Sequence, residues 1–330
     1  MRKIAQRRPR VVIITPRTAA SNAGNWHTAD RWARFLRARY RVAVSGQWDG
    51  TAADCLIALH ARRSAASIRA FAAAHPENPL VVVLTGTDLY RDIDNDRQAR
   101  RSLDLATHLV VLNQLGANAL PARLRSKASV ILQSARRLQP GQHSARRLTV
   151  AVVGHLRAEK DPQLVWDALS HIAPGVPLRV LHAGRALDAN LGRKAAAAAR
   201  ADPRYKWLGD VPRTEARQLI RRAHLLLHPS LMEGGAHAVI EAITAHTPVI
   251  GSRIDGNTGL LGRDYPGLFA AGDAHGAARL ISRAAQERDF LHKLALACER
   301  RLDLFTPARE NRAVNQLVDN ALSEYARKKL

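Results

Sequence analysis

The residues best suited to chemistry lie at positions 228–252, in the segment HPSLMEGGAHAVIEAITAHTPVIGS. Two carboxylates, Glu233 and Glu241, are separated by seven residues. Three small residues follow the first carboxylate: Gly234, Gly235 and Ala236. This pattern predicts a strand, a glycine-rich loop that a diphosphate can approach, and a helix whose first amides point at that anion. Two glutamates alone would favour a helix with a solvated acidic residue, but the glycine pair and the flanking strands favour a binding site.

A second segment, VVGHLRAEKDP at 152–162, places cations where a strand ends. The strand runs into Gly154, and Arg157 and Lys160 follow before the next helix. Fixed cations beside a departing diphosphate stabilise the transition state more than the ground state, and this chemistry requires no metal. Two surface cations are the alternative on a chain this basic. Their place at the carboxyl end of a strand, where open α/β sheets bind ligands, favours the catalytic role.

The segment SRIDGNTGLLG at 252–262 follows another strand and is rich in glycine. We predict a loop there that lines a sugar, with Asn257 and Gly259 among the binding residues. Glycines after strands are mostly turns, which is the alternative.

Two segments of the first half could hold a small oxyanion as the acceptor. The segment at 15–32 joins the first strand to the first helix, and its candidates are Arg17, Asn22, Gly24 and Asn25. The segment LTGTDLY ends another strand, and its candidates are Thr85, Thr87 and Asp88. A helix cap is an equally good interpretation of Asp88.

The elements that would position these residues alternate along the chain. Short runs rich in Val, Ile and Leu are separated by amphipathic stretches, and such continuously apolar strands are typical of parallel sheets covered by helices on both faces. We therefore predict an α/β protein with two Rossmann-like, doubly wound domains. The expected organisation is an acceptor-side domain at 1–135, a linker at 136–147, a nucleotide-sugar domain at 148–306, and a terminal helix at 307–330 that packs back on the first domain.

The composition describes a folded protein with an anionic partner. Hydrophobic residues make up 46% of the 330 residues, and 51 Lys and Arg against 28 Asp and Glu give a net charge of +23. This charge fits a nucleic acid, a membrane surface or a phosphorylated small molecule, and the low aromatic content of 5% argues against the first. Cys55 and Cys298 lack the paired spacing of metal or redox sites. With no signal peptide and no apolar stretch of spanning length, we expect a cytoplasmic location.

Two sets of motifs resemble known families. EGGAHAVIE and GHLRAEKDP resemble the GT-B glycosyltransferases of the large retaining family that includes sucrose and mannosyl transferases, across the second domain. SNAGNWHTADRWARFL, LTGTDLYRDI, SLMEGGAHAVIEA and IDGNTGLLGRDYPGLF resemble more narrowly the selenosugar synthases of selenoneine biosynthesis, across most of the chain.

The resemblance implies a fold and a reaction. The fold would be GT-B, with two Rossmann-like domains facing each other across a cleft. In the reaction, selenophosphate would attack the anomeric carbon of UDP-N-acetylglucosamine or UDP-glucose and give a 1-selenosugar, UDP and phosphate. The substrates would be these small molecules, with no nucleic acid, no membrane span, no cofactor and no metal.

The resemblance also implies roles for individual residues. Glu241 would bind the ribose, Glu233 the sugar hydroxyls, and Arg157 with Lys160 the diphosphate. His155 stands where many relatives have arginine, so the division of work between His155 and Arg157 stays open. Selenophosphate is already an anion and needs no base before attack. The alternatives are transfer of a hexose to a carbohydrate or lipid acceptor and, in another class, a nucleic-acid binder.

Overall fold

The computed structural model describes residues 7–16, 24–142 and 146–328. The chain divides into two compact units, which are Met1–Gln133 with Pro307–Leu330 (unit 1) and Ser134–Thr306 (unit 2). No helix of the described ranges has the length and apolar character needed to cross a membrane.

Unit 1 contains a parallel six-stranded sheet in the order β2-β1-β3-β4-β5-β6. Its strands are β1 Arg10–Ile14, β2 Arg41–Ser45, β3 Cys55–Leu59, β4 Leu80–Leu84, β5 His108–Val111 and β6 Ala128–Val130. Its first helices are α1 Gly24–Leu36, α2 Ala65–Ala74, α3 Ile93–Asn95 and α4 Arg97–Leu105. The central strands β3 and β4 are buried along their whole length, because helices cover both faces of the sheet.

Unit 2 contains a second parallel six-stranded sheet, in the order β12-β11-β10-β7-β8-β9. Its strands are β7 Leu148–Val153, β8 Leu178–Ala183, β9 Tyr205–Gly209, β10 Leu225–His228, β11 Val249–Ser252 and β12 Leu268–Phe269. Its helices are α5 Pro162–Ser170, α6 Ala189–Ala201, α7 Arg213–Arg222, α8 His237–Thr244, α9 Asp255–Leu261, α10 Ala274–Gln286 and α11 Arg288–Glu299.

The last helix, α12 at Pro307–Lys328, belongs to unit 1. Alternate residues of β1 point to opposite faces of the sheet, and Val11 and Ile13 share a core with α1 and with Val314 and Val318 of α12. Glu310 of α12 accepts hydrogen bonds from Arg31 Nε and Trp32 Nε1 of α1, each at 2.8 Å. The buried carboxylate therefore fixes where α12 docks on α1.

The prediction of a loop at 252–262 is wrong, because residues Asp255–Leu261 form helix α9. The glycines of this segment serve close packing. A Cβ on Gly256 would lie 2.2 Å from the Glu233 carbonyl oxygen. The last carbonyls of the helix are bound by Arg301, whose Nε donates to Leu260 O at 2.8 Å. Helix α9 is therefore stabilised by the close packing of Gly256 at its start and by Arg301 at its end, although the composition of this segment indicated a turn.

Candidate active site

The strand order of unit 2 reverses between β7 and β10, and the candidate site residues follow these two strands. From β7 the sheet grows through β8 and β9 on one side, and through β10, β11 and β12 on the other. Ligands of open α/β sheets bind at the carboxyl ends of the strands at such a switch point. The loop after β7 carries Lys160 and the loop after β10 carries Glu233. A backbone hydrogen bond of 3.0 Å, from Leu231 N to Glu159 O, joins the two loops.

Glu233 is a buried carboxylate bound by a cation. Lys160 Nζ donates a hydrogen bond to Glu233 Oε1. Burial alone would raise the pKa of Glu233, but the Lys160 charge and its hydrogen bond outweigh burial and hold this pKa at about 2. Glu233 is therefore ionised at neutral pH, and the pair presents a carboxylate and an ammonium side by side.

His228, which ends β10, is a site neighbour that the sequence analysis did not single out. Its Nε2 lies 3.5 Å from Glu233 Oε1. Burial lowers the pKa of His228 to about 4, so the ring is neutral at pH 7 and the positive charge facing Glu233 belongs to Lys160. The only signal for it in the sequence is a histidine at the end of the apolar run LLLH.

Asn257 is fully buried on α9, directly after Gly256, which packs against Glu233. Its Nδ2 donates to Ser252 O at 3.0 Å and to Ser252 Oγ at 3.1 Å. Asn257 Oδ1, Ser230 Oγ and the ring nitrogens of His228 are buried polar atoms, and Ser230 helps to lower the pKa of Glu233. Gly259 is buried in α9.

The loops after β7 and β8 hold each other through two histidines. His182 Nε2 lies 3.2 Å from Gly154 O, and His182 Nδ1 lies 3.0 Å from Tyr205 Oη. Burial lowers the pKa of His182 to about 4, so the neutral ring donates to the carbonyl and accepts from the tyrosine. His155 Nδ1 accepts from Arg185 N at 3.1 Å, and burial lowers the pKa of His155 as well.

The geometry separates the functions of His155 and Arg157. Because His155 Nδ1 is an acceptor and the ring is neutral, its Nε2 carries the proton and can donate one hydrogen bond. Arg157 lies at the start of the turn Ala158–Lys160, and its side chain is 37% exposed, with Glu159 Oε2 3.9 Å from Nε. Arg157 can supply charge to an anion, whereas His155 can supply a neutral donor.

Glu241 lies on α8, the helix that follows the Glu233 loop. Its Oε1 accepts from Arg213 Nη2 at 3.1 Å and lies 3.2 Å from His237 Nδ1. Burial disfavours the charged form, but the facing His237 and Arg213 lower the pKa of Glu241 to about 2. Arg213 was not singled out as a site residue from the sequence, since it lies on α7 and its contact with α8 depends on tertiary packing.

The start of α8 provides backbone donors. Among the described residues no side chain caps this helix, so the amides of its first turn suit an anion. The residues at this point are Gly234, Gly235 and Ala236, of which Gly235 is the partly exposed one. Unit 2 thus gathers a cation pair, uncapped amides and two ionised carboxylates on neighbouring loops and one helix.

In unit 1 the buried Asp88 binds the backbone of two loops. Its Oδ1 accepts from the amides of Thr85 and Gly86, each at 2.9 Å, and its Oδ2 accepts from Ala61 N at 2.9 Å. These bonds fix the turns after β3 and β4. The carboxylate organises the loops that carry Thr85 and Thr87.

His60 directly follows β3 and has a left-handed backbone conformation, with a φ of 74°. Its Nε2 lies 3.1 Å from Thr87 Oγ1, and burial lowers its pKa although Asp88 is near. A strained, buried histidine at a strand end marks a candidate functional position that the sequence analysis missed, because backbone strain leaves no trace in composition.

The remaining acceptor-side predictions lie at the first helix. Gly24 and Asn25 are the first residues of α1. Arg17 and Asn22 lie outside the described residues. Since all six strands of this sheet are parallel, the segments that follow β1, β3 and β4 lie at the same edge.

Comparison with known proteins identifies a family and the fold. Residues 135–300 match the model of the family described as "Glycosyl transferases group 1". The structure is similar to HepE from Anabaena, solved with UDP and glucose, at a TM-score of 0.74 and 16% identity over 96% of this chain and 100% of that chain. The structure is also similar to sucrose-phosphate synthase from Thermosynechococcus elongatus, with a TM-score of 0.78 and 14% sequence identity over 96% of this chain and 100% of that chain. A glycosyltransferase from Rickettsia africae is similar with a TM-score of 0.70 and 11% sequence identity, over 96% of this chain and 99% of that chain. The predicted fold class, GT-B with two Rossmann-like domains, is confirmed.

Proposed function

Because the chain belongs to the group 1 glycosyl transferases, we propose that it transfers a hexosyl group from a UDP-sugar and that the acceptor is selenophosphate. The observation that carries the donor half is the arrangement of two ionised carboxylates, Glu233 and Glu241, on either side of the uncapped start of α8. Solved structures of similar fold are complexes with UDP and with UDP-glucose, which supports a uridine nucleotide donor.

Each donor-side residue has one task in this proposal. Glu241 binds the ribose hydroxyls, and Glu233 binds hydroxyls of the hexose. Arg157, Lys160 and the first amides of α8 bind the diphosphate, and they stabilise the charge that develops as the bond from the anomeric carbon to UDP breaks. Lys160 contacts Glu233 directly, so one cation can connect the leaving group with the sugar.

The acceptor half rests on the sequence resemblance and on the chemistry of an anionic nucleophile. Selenium attacks the anomeric carbon, a C–Se bond forms, and the electron pair of the breaking C–O bond goes to UDP. Water then cleaves the P–Se bond and gives the selenosugar and phosphate. No residue has to remove a proton before attack. This agrees with Asp88, whose carboxylate is engaged by three backbone amides.

A hydroxyl acceptor is the second candidate. It is favoured by the similarity to sucrose-phosphate synthase, whose name describes the synthesis of a phosphorylated carbohydrate. In that case the same donor site would operate with a carbohydrate or lipid hydroxyl in place of selenophosphate.

We expect UDP release from UDP-N-acetylglucosamine or UDP-glucose to require selenophosphate and to persist in EDTA. The measurement is coupled UDP release, with detection of the selenosugar by mass spectrometry and sugar phosphates offered as competing acceptors. Glu241→Ala is the control and should weaken UDP binding. Turnover with hydroxyl acceptors and none with selenophosphate would favour the second candidate, and absence of UDP binding would refute both.

A further inference from the structure

Glu241 is held through one of its two oxygens. Oε1 accepts from Arg213 Nη2 at 3.1 Å and Arg213 Nε at 3.3 Å, and lies 3.2 Å from His237 Nδ1. Oε2 makes no hydrogen bond within the described part of the chain. A carboxylate only accepts, so Nδ1 donates in the histidine contact. The buried carboxylate is thus fixed at one oxygen and has the other available.

The second nitrogen of His237 is also anchored. Nε2 lies 3.3 Å from Ser134 O, and Arg213 Nη2 lies 3.5 Å from the same nitrogen. Ser134 is the first residue of unit 2. A carbonyl oxygen only accepts, so with Nδ1 donating to Glu241 the Ser134 contact is a hydrogen bond in the doubly protonated ring, whose orientation is then set by the segment that begins at Ser134.

That segment is itself fastened to α7 and α8. Leu138 N donates to Thr244 O at 2.9 Å, Arg221 Nε donates to Gln139 O at 2.9 Å, and Arg217 donates to Arg136 O. A rigid backbone carbonyl is therefore available to orient His237, and through it Glu241.

We propose that His237 is a positioning residue for the ribose-binding carboxylate, an inference that rests on the proposed function of Glu241. By donating to Oε1 from a ring anchored at Ser134, His237 directs Oε2 toward the hydroxyls of the bound nucleoside. Groups that orient a binding side chain in this way act on its geometry without touching the ligand. The consequence is selectivity for ribonucleotides over 2′-deoxyribonucleotides.

Two substitutions separate the two nitrogens of His237. His237→Asn keeps an N–H near the position of Nδ1, and His237→Gln keeps one near the position of Nε2. Arg222→Ala is the matched control, because it removes the side chain of an exposed arginine at the end of the same helix α7. Calorimetry gives the affinity of each variant for UDP and for 2′-deoxy-UDP.

The wild-type chain and the Arg222→Ala variant should bind UDP about tenfold more tightly than 2′-deoxy-UDP, as expected for one hydrogen bond to a charged group. His237→Asn should keep this ratio, and His237→Gln should reduce it to about one. Equal loss of affinity for both ligands in the Gln variant, or the same ratio in both variants, overturns the positioning role. If the wild type discriminates and Glu241→Ala still does, the assignment of Glu241 to the ribose fails instead, and if the wild type binds neither ligand, both proposals fail.

Discussion

The Lys160–Glu233 pair makes the state of one residue depend on the other. The side chains are 21% and 10% exposed, so water screens their attraction weakly. Without Lys160, a buried Glu233 would keep only His228 and Ser230 as partners among the described residues, and burial would favour its protonated form. Binding of a diphosphate by Lys160 would therefore change the electrostatic environment of Glu233 at the same time.

This coupling predicts how stability depends on pH. The pKa of Glu233 is about 2 in the folded chain against an ordinary 4.5. A lowered pKa stabilises the folded state fully above the ordinary value, and the contribution is lost as pH falls through the folded value. Urea denaturation should show wild type more stable than Glu233→Gln by on the order of 3 kcal/mol above about pH 5, with the difference shrinking toward pH 2.

The control for this prediction is the same comparison in a Lys160→Met background. In that background the stability difference between the chain with Glu233 and the Glu233→Gln variant should be much smaller, because the cation that lowers the pKa of Glu233 is absent. An equal difference with and without Lys160 would contradict the coupling.

From the sequence, the strand ends that precede Lys160 and Glu233 and the helix that carries Glu241 could be predicted, since apolar runs and glycines mark where strands stop. The contact between Lys160 and Glu233 could not be predicted, because the residues are 73 positions apart and meet only through the reversal of strand order at β7 and β10. The contact between Arg213 and Glu241 could not be predicted either, because it depends on how α7 packs against α8. The roles assigned to Lys160, Glu233 and Glu241 stay predictions.

Among the elements, α9 supports the Glu233 loop by contact. The composition of this segment indicated a loop, whereas Gly256 allows the helix to pack against the backbone of Glu233. A Cβ at this position would lie 2.2 Å from Glu233 O and 2.7 Å from Glu233 Cβ. Helix propensity alone would favour alanine at position 256. A loss of activity or stability in Gly256→Ala would therefore report the loss of close packing against Glu233.

We expect Gly256→Ala to lower turnover of the UDP-sugar about a hundredfold, since displacement of a site residue by about 1 Å has effects of that size. Overpacking should also lower the free energy of unfolding by about 1–3 kcal/mol. Gly175→Ala is the control, because nothing lies within 4 Å of its added Cβ. Steady-state rates and urea denaturation check both effects, and wild-type turnover in Gly256→Ala would disprove the contact model.

Across the whole chain, alternating apolar runs were sufficient to predict two parallel sheets. A terminal helix that packs back on the first domain was expected, but the periodicity could not show which residues hold it there. That docking depends on Glu310, whose side chain is fully buried and bound by Arg31 and Trp32. A single buried carboxylate in an amphipathic helix resembles an ordinary polar position in the sequence.

Glu310→Ala should therefore destabilise unit 1 by about 3–5 kcal/mol, because it leaves the nearly buried Arg31 without its partner. Glu324→Ala on the same helix is the matched control. Glu324 lies 3.4 Å from His108 and is 54% exposed, so its loss should change stability by less than about 0.5 kcal/mol. Chemical denaturation compares the two, and similar losses would show that the Arg31 contact has no special weight.

The position of α12 in the chain also sets an order of events during synthesis. The six strands of unit 1 leave the ribosome before residue 134, but α12 follows only after the whole of unit 2. Until then the apolar surface of α1 and the first sheet that Val314 and Val318 will cover stays open to water. Unit 2 can therefore reach its native state before unit 1. The rate of translation through residues 134–306 determines how long the uncovered apolar surface of unit 1 can aggregate or bind chaperones.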